Sequence, residues 1–251
     1  FGDGLALKDI PRSVTPISAQ MMEALDITTL QDILAVSPNT YAATGFGAPS
    51  LPTIRGQLGE LLQDGVRRQA GNNGFGAPLS FNAIEQIDVV KGPTPVLFGT
   101  SQRNGGFVNL QSKLASITQP DSQFSFSAGR WDSYRTQIDT SRVLVENKSG
   151  IRLSYERIDN GDFYDFSSHR SDSLYTALRM VPDSASTWDI NVEYYDVQFT
   201  DNAGINRPTQ NLIDNGVYIT GQGVQPNGSL IPGAGAVISP TGQVVIDRSR
   251  V

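Results

Sequence analysis

The 251-residue sequence contains no cysteine, which excludes disulfides, thiolate catalysis and cysteine-held metals. Histidine is nearly absent as well: His169 stands alone. With no nucleophile motif beside it, nothing marks a catalytic centre, and a surface role is the plain expectation for that residue. No run of about 18 apolar residues occurs, so no membrane-spanning helix is expected. A β-barrel is untouched by that test, because its strands alternate and dilute the hydropathy signal. No basic block points to nucleic acid; the net charge is −6 with both signs mixed along the chain. The opening Phe1-Gly2-Asp3-Gly4 lacks the basic start and apolar core of a secretory signal. The length, with 38% hydrophobic and 18% charged residues, suits one or two domains.

What is present centres on residues 84–110. Ile84, Ile87, Val89 and Val90 read as a short buried strand. Gly92-Pro93 ends it, since Pro93 and Pro95 fix φ and remove donors. Val96, Leu97 and Phe98 form an apolar knot before Gly99. Gly105-Gly106 reverses the chain into a further strand, Phe107-Val108-Asn109-Leu110. Earlier stand Asp9-Ile10-Pro11-Arg12-Ser13-Val14, Thr53-Ile54-Arg55-Gly56 and Asp64-Gly65-Val66-Arg67. Four motifs in this order over about 110 residues form a specific signal. The set closely resembles the plug domain of TonB-dependent outer-membrane receptors, the ferric-siderophore transporters especially. Arg67 replaces the proline that usually closes the third motif. The likeness continues more loosely to Pro208.

In chain order, Ser18 is placed to cap a short helix over 19–25. Thr29 with Asp32 matches a shorter-armed capping box before Leu30, Ile33 and Leu34, with Pro38 as the stop. Met21, Met22, Leu25 and those three read as core. Residues 41–51 read as a small, glycine-rich loop with Tyr41 and Phe46, followed by a strand at Ile54-Arg55-Gly56. Residues 61–66 read as a strand and its turn, and 67–78 as a second loop with Arg67, Arg68, Asn72, Asn73 and Phe75.

From Asp121 the pattern turns to period two. Phe124, Ile138, Leu153, Leu178 and Ile190 each lie on an apolar face opposite charged or hydroxyl residues. Five antiparallel strands of about 9–12 residues are expected, with short turns at 146–150 and 182–187, a longer link over 159–172, and a long structureless tract over 200–251. A soluble sandwich would also show one charged face; strand length and the short/long alternation of links favour a barrel. The acidic segment 159–165 lacks calcium-loop spacing.

These readings give an α+β plug over residues 1–118 and, over 119–251, the N-terminal part of a transmembrane β-barrel, incomplete here at about five strands plus a long extracellular loop. The resemblance implies an outer-membrane protein, not an enzyme, with no cofactor or resident metal, importing a ligand that is an iron(III)–siderophore complex. The two plug loops would be apical and ligand-binding, through Tyr41, Phe46, Arg67, Arg68, Asn72, Asn73 and Phe75; solvated loops are the alternative. Arg55 and Lys91 would lock the plug to glutamates on the barrel wall. For Lys91, a point charge where arginine is usual, an internal pair with Glu85 or Asp88 is the alternative. Partners would be outer-membrane lipid and the TonB-ExbB-ExbD energy-coupling complex, whose contact segment, like a removed signal, would lie upstream of Phe1. Cobalamin or glycan receptors share the same plug motifs, and a soluble β-rich enzyme or glycan-binding protein is the reading from another class.

Overall fold

Strand β1 (Ser13–Ser18) leads straight into helix α1 (Ala19–Ala24). The expected cap forms: Ser18 Oγ accepts from the Met21 N–H at 3.3 Å. This computed structural model describes residues 12–45, 48–68, 78–95, 103–164, 167–200, 210–215, 217–222 and 238–245. The chain divides into two units, 1–202 and 203–251.

The second expected helix is only a single 3-10 turn, Asp32–Ala35. Pro38 disfavours helical geometry at the residue before it, so little chain is left for a helix. Asp32 still acts as read from the sequence. Its Oδ2 accepts from the Thr29 N–H at 2.7 Å, the Thr29 hydroxyl at 2.8 Å and the Thr28 N–H at 3.0 Å. Replacing Asp32 with alanine is expected to cost about 1 kcal/mol, the usual worth of such a cap, measured as a shift in the denaturant midpoint.

The segment read as a loop over 41–51 is instead a hairpin, β2 (Thr40–Gly45) with β3 (Ala48–Ile54), in the register Thr40↔Ile54 and Tyr41↔Thr53. Small residues suggested a loop; the pairing that overrides them is set by the partner strand, which local propensity does not report. The strand expected through Arg55 stops at Ile54. Arg55 (φ 53°) and Gly56 (φ 76°) are both left-handed, the pattern of a tight hairpin turn into β4 (Gln57–Leu58).

The sheet that carries the core is ordered β1-β7-β8-β5-β6, where β5 is Glu60–Gln63, β6 Val66–Arg67, β7 Ile84–Lys91 and β8 Gly106–Ser112. Ile87, Val89, Val108 and Leu110 pack with Ile17, Ile33 and Ile54 in one cluster, and Leu62, Val90 and Phe107 form a second. Full burial of each such aliphatic chain stabilises by about 1.5–3 kcal/mol. Two residues from far along the chain, Tyr175 and Ala177, belong to the first cluster.

They come from a second sheet ordered β13-β12-β11-β10-β9. Its strands are β9 (Asp121–Gly129), β10 (Ser133–Val145), β11 (Ser149–Gly161), β12 (Ser168–Asp183) and β13 (Ser186–Phe199), antiparallel throughout. Four exceed the expected length, and the link expected over 159–172 shrinks to 162–167. Cross-strand pairing of Asp159 with Arg170 and of Arg157 with Asp172 carries polar residues into the ladder that composition had assigned to a loop.

This wall is apolar on the side away from the first sheet. Phe124 is 67% exposed and Val192 66%, and Ile138, Leu153, Leu174, Ile190 and Trp188 share that side. The residues between them turn inward: Asp139, Ser141, Ser154, Glu156, Ser171, Ser173, Tyr175 and Ala177 are all buried. Exposed hydrophobics outside and polar groups sealed inside is the inverse of a soluble sandwich, and it is the alternation a membrane barrel requires.

In the second unit, the tract expected to lack structure contains a short helix α2 (Gln210–Asn215) and a hairpin of β14 (Val217–Gln222) with β15 (Ile238–Val245). Proline and glycine mark where a chain turns, and they do not forbid the strands between turns.

Candidate functional site

Of the residues singled out for ligand contact, Phe46, Asn72, Asn73 and Phe75 lie outside the described residues. Tyr41 sits on β2. Arg67 ends β6, and its Nε is 3.4 Å from Glu60 Oε2. Arg103 reaches the same oxygen at 3.1 Å. Glu60 is buried while both arginines are part-exposed, so the two guanidinium groups share a carboxylate that water screens only from their side. Arg68 turns to the wall instead, with Nη2 3.9 Å from Glu193, and its buried Nη1 has no hydrogen-bond partner. Arg55 is exposed on its turn and Lys91 half-buried. Among the described residues neither has an ion-pair partner, and the internal alternative for Lys91 does not form. Asp88 accepts from Gln86 and Gln111, while Glu85 faces Arg152 at 3.8 Å.

The closest chemistry lies where the first sheet meets the wall, and sequence reading passed over it. Two chains of polar contact cross that boundary. In one, Lys113 Nζ is 2.5 Å from Asp139 Oδ2, and Arg152 grips the same carboxylate with two bonds of 2.8 and 3.1 Å. Burial pushes the Lys113 ammonium below its ordinary pKa, with Asp139 pulling the other way. In the other, Glu156 receives Ser80 Oγ at 3.0 Å and Arg135 at 2.7 Å. Next to it, Asn82 has its whole amide engaged. Nδ2 donates to the Ser154 and Ser173 carbonyls at 3.1 and 3.2 Å, and Oδ1 accepts from the Ser154 hydroxyl at 2.6 Å and from Gln137 at 3.2 Å. Tyr175 donates to the Lys113 carbonyl at 2.6 Å, and Tyr195 to that of Pro78 at 3.0 Å. The signal for these residues was in plain view: Asp139, Arg152 and Glu156 occupy the charged side of the period-two strands. Which plug residue each meets is a matter of tertiary register, and no local pattern encodes it.

The linker out of the first sheet is fitted just as closely. A Cβ at Gly150 would sit 2.0 Å from the Ser116 carbonyl oxygen, so the turn after β10 closes on the linker only because residue 150 has no side chain.

A cavity of about 240 Å³ lies at the far end of the same boundary, lined by Thr29, Gln31, Asn160, Asp162, His169 and Phe199 among others. His169, expected at the surface, faces it with a buried Nε2 that has no hydrogen-bond partner. Among the described residues of the nearby acidic segment, both carboxylates are already engaged. Asp162 accepts from the Phe163 N–H and Ser167 hydroxyl, and Asp159 pairs with Arg170.

Residues 6–106 match the family described as TonB-dependent Receptor Plug Domain. Over 210 residues the chain is 29% identical to the ferric-pyoverdine M114 receptor PbuA of Pseudomonas sp. (strain M114), a match covering 80% of this chain and 25% of that protein. It is 33% identical over 153 residues to the probable TonB-dependent receptor BfrD of Bordetella pertussis, covering 59% of this chain and 20% of that one. The chain therefore spans a fifth to a quarter of the length of these curated relatives. Among solved structures it resembles the ferripyoverdine receptor of the Pseudomonas aeruginosa outer membrane, with a TM-score of 0.70 at 22% identity over 77% of this chain and 26% of that one. It also resembles the ferric-catecholate import receptor Fiu of E. coli, with a TM-score of 0.67 at 21% identity over 79% and 29%.

Proposed function

Since the chain belongs to the TonB-dependent receptors of the outer membrane, carrying their plug and the first strands of their barrel, we propose that the intact protein imports a ferric siderophore. The observation that carries this reading is the seating of the plug, with its four ordered motifs, against the polar side of a wall whose apolar side faces out. The plug–barrel boundary falls at 118/119. Ligand binds at the extracellular face, held by the loops bearing Tyr41, Phe46, Arg67, Arg68, Asn72, Asn73 and Phe75 and by barrel loops beyond the wall described. Guanidinium groups and amides suit a chelate that carries anionic oxygens, and aromatic rings stack on its planar groups. Arg55 and Lys91 pair with carboxylates of the later barrel strands. The TonB-ExbB-ExbD complex supplies the force, and lipid meets the outward belt. No covalent chemistry is involved; passage follows rearrangement of the plug. The ligands of PbuA and Fiu support the siderophore class.

The test is binding and uptake of ferric pyoverdine and a ferric catecholate by cells carrying the full-length receptor, alone and with Arg67→Ala or Arg68→Ala. Each substitution is expected to weaken binding by about 1.5–3 kcal/mol, the worth of a hydrogen bond to a charged group, or roughly ten- to hundredfold in Kd. Arg67 should show the smaller loss, because Glu60 already shares its charge. Unchanged affinity in both would remove these arginines from the site. Uptake of cobalamin or a glycan with no iron chelate imported would overturn the siderophore assignment.

A further inference from the structure

The outward side of the wall is apolar over a short height only. On β11 the exposed side chains that face out are Ile151 and Leu153, followed by Tyr155; the next in that direction is Arg157, bonded to Asp172 at 3.0 Å. One cross-strand row, Arg157–Asp172–Asp196, ends the apolar surface on β11, β12 and β13 together, directly after the row Tyr155–Leu174–Tyr194. At the other edge Arg142 faces out from β10, exposed and in register with Ile151. Strand β13 presents four outward apolar positions, Trp188, Ile190, Val192 and Tyr194. An ordinary membrane strand of about 9–11 residues presents about five.

The Arg142 row and the Arg157 row lie six residues apart on β11. That is roughly 20 Å along the strand and about 15 Å along the membrane normal, at the tilt of a membrane barrel. The apolar band of such barrels is about 25 Å tall. Arg142 can extend its stem toward the headgroups and recover about 5 Å. Asp172 and Asp196 have no stem with which to do the same. A bilayer of ordinary height would therefore submerge one charged edge or the other. Charge facing lipid is costlier the deeper it lies, whereas compressing lipid costs only a small amount for each ångström.

We propose that the bilayer is thinned beside β10–β13, its hydrocarbon narrowing there to about 15–20 Å. The partner that fits this face is a compressed patch of lipid, pinned between the Arg142 edge and the Arg157–Asp172–Asp196 row. The proposal rests on the chain's place in an outer-membrane barrel and not on the ligand that the receptor carries, so its test involves no uptake.

The full-length receptor, with no other cysteine, is given Ile151→Cys, Leu153→Cys or Tyr155→Cys and a nitroxide at that thiol. It is reconstituted into palmitoyl-oleoyl phosphatidylcholine vesicles. Paramagnetic-resonance accessibility to oxygen and to a water-soluble nickel chelate then gives the depth of each label below the nearer edge of the hydrocarbon. Residues 151 and 155 are about 10 Å apart along the normal, so their two depths should add up to the local thickness less that distance. The expected sum is about 5–10 Å, with 153 the deepest of the three; an unthinned band would give about 15 Å. A sum above about 10 Å, or a depth that still increases from 153 to either neighbour, overturns the proposal. So does a label more accessible to nickel than to oxygen at all three sites, which would also remove the wall from lipid. Adding Arg157→Leu with Asp172→Leu is expected to raise the sum by about 5 Å, one outward position, because the charged row no longer holds the edge there. An unchanged sum in that inserted variant overturns the role given to the row. Where the variant does not insert, the depths in the parent decide alone.

Discussion

Replacing Asp139 with alanine is expected to destabilise the intact receptor by about 3–5 kcal/mol, because it strands two buried cations at once. Asp139 is the shared partner of Lys113 at 2.5 Å and of Arg152 at 2.8 and 3.1 Å, and all three side chains are largely enclosed. Lys113 is already held below its ordinary pKa by burial, so its ammonium is costly to keep there even with the carboxylate in place. Lys113→Met should be far milder, since it leaves the two-bond grip of Arg152 intact. Combining it with Asp139→Ala should recover part of the loss, a coupling that adding the single effects would miss. The measurement is the temperature at which the detergent-solubilised receptor loses its folded, heat-modifiable mobility. A loss below about 1 kcal/mol for Asp139→Ala would show that water reaches the triad and that the pair behaves as an exposed one.

The second large effect is expected at Gly106, where even alanine should cost about 2–5 kcal/mol through backbone strain and overpacking together. The residue has φ +149°, and a Cβ would lie 2.3 Å from the Val90 carbonyl oxygen and 3.0 Å from Ile54 Cδ1. Neither neighbour has room to yield, since both lie in the buried packing of the plug. Limited proteolysis should cut the Gly106→Ala plug at protease concentrations that leave the parent intact. An unchanged digestion pattern would mean that β7 and β8 can separate at this end without loss.

The same double glycine explains why so much of the plug could be read from sequence. Gly105-Gly106, Gly92-Pro93 and the apolar run of Ile87, Val89 and Val90 are local requirements of one tight geometry, so they leave a local signature. The wall was legible for a similar reason: alternation is a property of each strand by itself. What could not be read was whatever depends on a distant partner. The strands around 159–172 lengthen because Arg157 and Arg170 meet Asp172 and Asp159 across the ladder; the 41–51 hairpin, whose partner is adjacent, was instead hidden by its small residues. Asn82 illustrates the limit best. Nothing in its neighbourhood distinguishes it from any turn asparagine, yet its amide holds three wall residues that follow it by 55 to 91 positions. The candidate ligand residues show the same limit: Arg67, read as part of a loop, ends β6, and the carboxylates that Arg67 and Arg68 face belong to other strands.

The outward face of the wall carries one more consequence. Just beyond Leu153 and Leu174, Arg157 bonds Asp172, Arg170 bonds Asp159, and the Tyr155 hydroxyl donates to Asp172. Sinking the wall would submerge first the Arg157–Asp172 pair and then the Asp159–Arg170 pair in hydrocarbon, and raising it would lift Tyr194 and Leu174 into water; both displacements are opposed. The wall therefore draws its own waterline, set where its apolar belt gives way to paired charge.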